Sequence, residues 1–267
     1  MSWKDFEKNV YEYLVKNIQY PKIRIIHQGS SDSTVSDIHF YCSEKKIFTI
    51  ECKKNESQAS QFVVKNNINN KTFENSEKNK FIDEFSDQII DHMNDHYDHY
   101  SKVNENGNIL NELLCSKKLM YSRVISQIKS KAVFIASSHN LNNFSVKSPL
   151  LIVPVEKIEK YFDINGVYRT KKSGSKSLKE TDYSYFEKKY KTQIIGKKIY
   201  LDDPNNQIDA NIEKGFYFSK KNEKGLREIR KKGTTANANV IFSLSLRENF
   251  KHTNFKFVKN YIEDMCL

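Results

Sequence analysis

Asp37, Glu51 and Lys53 are the residues of this 267-residue chain whose types and spacing point most directly to chemistry. A pair of carboxylates offers hard oxygen donors for a divalent cation, and a lysine two residues after the second carboxylate adds an ammonium on the same strand face. They lie in two short runs, Ser36-Asp37-Ile38-His39-Phe40-Tyr41-Cys42 and Ile47-Phe48-Thr49-Ile50-Glu51-Cys52-Lys53. Each run alternates apolar and polar residues with the period of a strand. Ile38, Phe40, Cys42, Phe48, Ile50 and Cys52 fall on one face, and Asp37, His39, Thr49, Glu51 and Lys53 on the other. Opposed residues of an antiparallel pair share a face, so matching the apolar sets puts Asp37 against Glu51, with Ser43-Glu44-Lys45 as the turn. Two carboxylates with Cβ atoms about 4.5–5.5 Å apart destabilise a sheet unless something positive lies between them. Lys53 is one such group and a divalent cation is another.

The elements that must position these residues follow from the pattern on either side. Trp3, Phe6, Val10, Tyr13, Leu14 and Ile18 recur at helical spacing after Ser2, a suitable N-cap, and Glu7 lies beside their stripe. Lys22 to His27 reads as an edge strand after Pro21. Beyond Lys53, Gln58 and Gln61 are expected one helical turn apart, where amides could reach a phosphate or a metal-bound water. Residues 65–80 are rich in Asn and Lys and are expected to be a mobile polar insertion. Phe81, Phe85, Ile89, Ile90 and Met93 predict a helix that carries His92, His96 and His99 on one face. No other motif completes a zinc site there, and no zinc is expected. A helix over 110–128, strands over 132–136 and 150–154 and a helix over 155–162 complete an α/β pattern, with a mixed sheet covered by helices.

The order of helix with Glu7, strand, Ser36-Asp37, hairpin and Glu51-Cys52-Lys53 resembles the PD-(D/E)XK nuclease superfamily, and within it the type II restriction endonucleases. Ser36 stands where many members have Pro. The resemblance covers residues 1–165 and implies a restriction-endonuclease-like core with a central mixed sheet flanked by helices. It implies Mg²⁺ bound by Asp37, Glu51 and the Cys52 carbonyl, with Lys53 positioning the attacking water. Glu7 would point towards the metal, and Gln61, directly after the catalytic strand, is a further candidate for the active site.

Lys and Arg number 44 against 33 Asp and Glu, a net charge of +11 that suits a polyanionic partner. Much of the excess falls in residues 166–267, expected to be a basic region with strands at 216–218 and 240–246. Lys171, Lys172, Lys176, Lys220, Lys221, Arg227, Arg230, Lys231 and Lys232 are its candidate DNA contacts. Cys42, Cys52, Cys115 and Cys266 show no metal-ligand spacing and read as reduced thiols of a cytoplasmic protein. The longest apolar run, Leu150 to Val153, cannot span a membrane. The expected substrate is double-stranded DNA cut at a short sequence by a homodimer, with a cognate DNA methyltransferase encoded nearby to protect the host. A repair or junction-resolving nuclease of the same fold, and a non-catalytic basic DNA-binding protein, are the alternatives.

Overall fold

Helix α1 (Trp3–Asn17) forms because Phe6, Val10 and Leu14 fall on one stripe, and all three are buried. Burying each contributes about 1.5–3 kcal/mol, far more than helix propensity supplies. The computed structural model describes residues 3–29, 34–101, 110–139, 144, 149–172, 178–196, 198–202, 215–219, 221–231, 236–247 and 255–266, without the side chains of 110, 111, 170–172, 236 and 237. After α1 come β1 (Ile23–His27), β2 (Ile38–Cys42) and β3 (Lys45–Cys52), an antiparallel meander. Ile38 pairs with Ile50, His39 with Thr49 and Phe40 with Phe48, the register that the apolar alternation predicts. Between Phe40 and Tyr41 a bulge shifts the pairing, so the turn is Ser43-Glu44, with Ser43 at φ 53°, and not the three residues expected.

Residues 57–75 correct two expectations. β4 (Ser57–Asn67) and β5 (Thr72–Asn75) form an antiparallel hairpin, so Gln58 and Gln61 belong to a strand and point to opposite faces. The stretch expected to be a mobile insertion is pinned by its one aromatic residue. Phe73 is buried, and Asn94 accepts from its backbone N–H at 2.6 Å and donates to its carbonyl at 3.3 Å. Asn94 lies on α2 (Glu84–Asp95), which Asp83 caps through a reciprocal bond pair with Ser86; α3 (Tyr97–Tyr100) follows. The helix expected from residue 110 starts later. Leu110–Glu112 is the strand β6, and α4 (Lys117–Lys129) begins after Ser116, whose side chain accepts from Leu119 N–H.

Next come β7 (Phe134–Ser137), β8 (Leu151–Pro154), a 3₁₀ turn at Val155–Lys157, α5 (Ile158–Tyr161) and β9 (Phe162–Lys172). Then follow α6 (Glu180–Lys189), β10 (Thr192–Ile195), β11 (Lys198–Asp202), β12 (Phe216–Phe218), β13 (Leu226–Lys231), β14 (Ala236–Leu246) and α7 (Lys256–Cys266).

Three sheets result. The first has the order β1-β2-β3-β7-β8 and is mixed, because β3 and β7 run parallel and its other pairs are antiparallel. Its even-numbered face, with Ile38, Phe40, Phe48, Ile50, Phe134 and Ile152, packs in one cluster with α1 and with Val258 and Ile262 of α7. Its odd face sends Ile135 and Val153 into a second cluster with Val124 and Ile128 of α4. The polar face of the hairpin is therefore also buried: His39, Thr49 and Glu51 are each less than 9% exposed. The second sheet has the order β5-β4-β14-β9-β6, and Phe62, Val64, Val240, Phe242 and Leu244 of its strands join the α4 cluster. Among the described residues no helix is long and apolar enough to cross a membrane.

The chain divides into two compact units. One comprises 1–102, 110–169 and 238–267, and the other 103–109 and 170–237. A single boundary at 165 does not describe this division, since most of β14 and all of α7 return to the first unit. The second unit holds the antiparallel sheet β10-β11-β13-β12 and its own core of Phe186, Ile199, Leu201, Phe218 and Ile229. The reduced-thiol expectation needs correction as well. Cys42 at the end of β2 is disulfide-bonded to Cys266 of α7, and Cys52 and Cys115 are the free, buried thiols.

Candidate active site

The hairpin register brings Asp37 and Glu51 to adjoining ends of β2 and β3, one step beyond the Ile38–Ile50 pair. Asp37 Oδ2 accepts a 2.7 Å hydrogen bond from the Cys52 backbone N–H, which fixes that carboxylate against β3. Glu51, 2% exposed, is held through Oε1 by Lys53 Nζ at 2.8 Å. Glu51 Oε2 is buried without a hydrogen-bond partner. Lys53 lies just past β3, where its N–H donates to Ala136 O of the parallel neighbour at 2.9 Å. Glu7 enters from α1, and its Oε2, also buried without a hydrogen bond, is 3.8 Å from His27 Nε2. Tyr11 stacks on that histidine ring.

Crowding of acids in a dry place sets their protonation. Burial first, then the charge of Asp37, pushes the Glu7 carboxyl up to about 8. Burial and the neighbouring Glu51 push Asp37 up to about 6, against the stabilising bond from Cys52. Burial acts to lower the Lys53 pKa, but the charge and hydrogen bond of Glu51 outweigh it and the ammonium is reinforced. Near neutral pH the site thus holds a proton on Glu7, charge on Asp37 and a firm cation at Lys53.

These groups line a cleft of about 700 Å³. Gln58 and Gln61 of β4 border it despite their opposed directions, as do Lys78 and Lys80 from the segment after β5. Gln127 and Lys131, from the end of α4, complete the wall. Arg123, wholly buried one turn before Gln127, holds that wall in place. Its guanidinium donates to Ser86 Oγ at 2.6 Å and Gln127 Oε1 at 3.0 Å, and it lies over the rings of Phe81 and Phe62. The same Gln127 oxygen accepts from Ser60 of β4.

Lys131 is the residue that sequence reasoning misses: its Nζ reaches Glu51 Oε1 at 2.8 Å from 80 positions away. No local spacing could reveal it, because the contact depends on the crossover that lays β7 parallel to β3. Among the described residues no three His, Cys, Asp or Glu side chains gather as a ready cage for an ion. A cation at Asp37 and Glu51 would complete its shell with water and substrate oxygens, which is the habit of Mg²⁺. Two carboxylates with an unpartnered buried oxygen suit such a hard ion. The rings of His92 and His96 lie with centroids 4.4 Å apart, tilted by 33°, and His99 packs edge-on against Tyr100.

The basic candidates are placed less uniformly. On β13, Lys231 Nζ bonds both oxygens of Asp182 at 2.9 Å, and Arg230 pairs with Glu228 at 2.8 Å. Arg227 is half-buried on the same strand, and Lys221 is half-buried before it. Lys171 and Lys172 close β9; their side chains, and Lys176, Lys220 and Lys232 entirely, lie outside the described residues.

No protein-family model matches the chain, and no curated protein matches it in sequence. Among solved structures it is similar to HhaI endonuclease in complex with DNA at pH 6.0, with 28% identity and a TM-score of 0.68 over 98% of this chain and 100% of that one. With this likeness along nearly its whole length and a mixed sheet layered between helices, the chain has a restriction-endonuclease-like fold.

Proposed function

We propose that the protein is a Mg²⁺-dependent type II restriction endonuclease that makes double-strand cuts in DNA at a short specific sequence. The observation that carries this reading is the convergence of Asp37, Glu51 and Lys53 on one cleft, each fixed by a partner: Cys52 N–H, Lys53 and Glu51 respectively. The likeness to a DNA-bound endonuclease supports it.

In this reading Asp37, Glu51 and the Cys52 carbonyl hold the ion, which when bound offsets charge on the scissile phosphate and lowers the pKa of coordinated water. Lys53 holds the attacking water in line with the leaving 3′ oxygen. The bond from water oxygen to phosphorus forms as the bond to the 3′ oxygen breaks, and no covalent enzyme intermediate is needed. Before the ion binds, burial and the charges of Asp37 and Glu51 favour the protonated form of Glu7, which limits repulsion within the acid cluster.

The cleft of Asp37, Glu51 and Lys53 faces one phosphodiester at a time, so the reading carries a homodimer with one site on each strand of a palindromic target. A methyltransferase that protects the same sequence is the partner it implies. The basic residues of 170–237 supply backbone contacts that orient the duplex.

The test is digestion of a plasmid of known sequence with and without Mg²⁺. Discrete bands mapping to one site are expected from the wild type. Asp37→Ala, Glu51→Ala and Lys53→Ala should each abolish cleavage while still retarding DNA. Cleavage by Asp37→Ala within a few-fold of wild type would overturn the site assignment, and cutting confined to branched substrates would make the protein a junction-resolving nuclease. Sedimentation of the DNA complex counts chains per site, and one chain would replace the dimer with a monomer that cuts the strands in turn.

A further inference from the structure

Lys131 has no task in the chemistry above, yet its place is built with care. Its N–H donates to Ile128 O at 3.0 Å, Thr49 Oγ1 donates to its carbonyl at 2.7 Å, and Val133 N–H donates to Thr49 O at 3.1 Å. These bonds stitch the end of α4 to β3 two residues before Glu51. The side chain, 11% exposed, reaches Glu51 Oε1 at 2.8 Å, the oxygen and distance that Lys53 also uses.

Glu51 and the adjoining Asp37 bring two charges, which Lys53 and Lys131 balance. Both ammonium groups stand at the wall of the cleft, and a divalent ion taken up by the two carboxylates would leave them in excess. They leave cationic capacity where an entering anion would meet it. Glu51 Oε2 is open to a divalent ion while both lysines remain on Oε1, and once that ion's charge is added the anion on hand to draw one ammonium away is the substrate phosphate. Lysine suits this exchange, because a point charge on a flexible stem binds phosphate without the fixed geometry of a guanidinium.

We propose that Lys131 is a second phosphate-binding ammonium of this site, contacting a non-bridging oxygen of the scissile phosphodiester beside Lys53. The proposal rests on the nuclease reading and adds to it a catalytic residue from the crossover helix.

Lys131→Met and Lys131→Arg test it, compared with wild type in three measurements: single-turnover cleavage in Mg²⁺, the salt dependence of duplex binding with Ca²⁺ in place of Mg²⁺, and thermal melting. Lys53 remains to pair Glu51 in both variants, so folding should be preserved. Lys131→Met should cut at least ten-fold more slowly, and its salt slope should fall in magnitude by about one, the mark of a lost phosphate contact. Lys131→Arg, which keeps the charge, should recover the slope and much of the rate. Wild-type cutting by Lys131→Met overturns the proposal. So does slow cutting with an unchanged slope, since Lys131 would then serve only the placement of Glu51. If the wild type itself fails to cut in Mg²⁺, the nuclease reading falls, while the slope still reports whether Lys131 meets a phosphate.

Discussion

One arrangement, a glutamate held by two cations, occurs in both units with different surroundings. In the first unit Glu51 is held by Lys53 and Lys131, whose side chains are 21% and 11% exposed. In the second, Glu228 is held by Arg230 and Lys198, which are 38% and 55% exposed. Water screens the second cluster, and burial there is outweighed by Arg230 and Lys198, so Glu228 titrates below its ordinary range. The first cluster cannot shed its strain into solvent, and the acids beside it, Glu7 and Asp37, are pushed up to about 8 and about 6. A glutamate held by two cations thus belongs to a solvated surface in one unit and to a proton-holding site in the other, and what separates them is desolvation together with the two further acids beside Glu51.

The comparison is sharpened most by Arg123, a wholly buried cation of the first unit. Arg123→Met removes the cation beside Asp83 and one of the donors to Gln127 Oε1, and should destabilise the protein by about 3 kcal/mol in chemical denaturation. Arg230→Met should cost less than about 1 kcal/mol. Equal losses would mean that burial does not distinguish the two regions.

The next effect is smaller and depends on pH. A carboxyl raised from 4.5 to about 8 binds more protons in the folded than in the unfolded state across that interval, so native stability falls as pH rises through it. Glu7→Gln does not ionise and escapes this loss. In EDTA its melting temperature should exceed that of wild type at pH 8.5 and approach it at pH 5. Parallel curves for the two proteins would show that Glu7 carries no such proton.

The smallest effect separates the lysines of the second unit. Lys231 is already committed to Asp182, so Lys231→Met should change the salt slope of DNA binding by less than about one. Joint neutralisation of Lys171, Lys172 and Lys176 should reduce it by up to about three. An unchanged slope would mean that these lysines meet no phosphate.

Parity along the hairpin was legible because a strand has only two faces: Ile38, Phe40, Phe48 and Ile50 are buried together as their alternation requires. What alternation does not show is whether the polar face meets water. β3 is the central strand of its sheet, so Thr49 and Glu51 are covered by the layer that α4 begins. The run Ser57 to Gln61 looked helical in isolation because its polar residues carry little periodicity, and it is a strand because β5 and β14 flank it. Asn and Lys content suggested mobility for 65–80, yet one buried phenylalanine suffices to order that hairpin. Contacts such as Lys131 to Glu51 and Cys42 to Cys266 join positions too far apart for any local pattern to reveal.

The position of α7 on the even face of the first sheet carries a consequence for how the protein comes into being. Tyr261 of that helix packs edge-on against Phe48 and Phe134, and Cys266 lies 224 residues beyond its partner in β2. At about 5–20 residues per second, a ribosome needs roughly 10–45 s to travel that distance. During that interval the hairpin bearing Asp37 and Glu51 exists without its full hydrophobic cover, and long-range pairing of this kind is slow to form. The sheet that carries Asp37 and Glu51 completes its even-face core only when the downstream helix arrives.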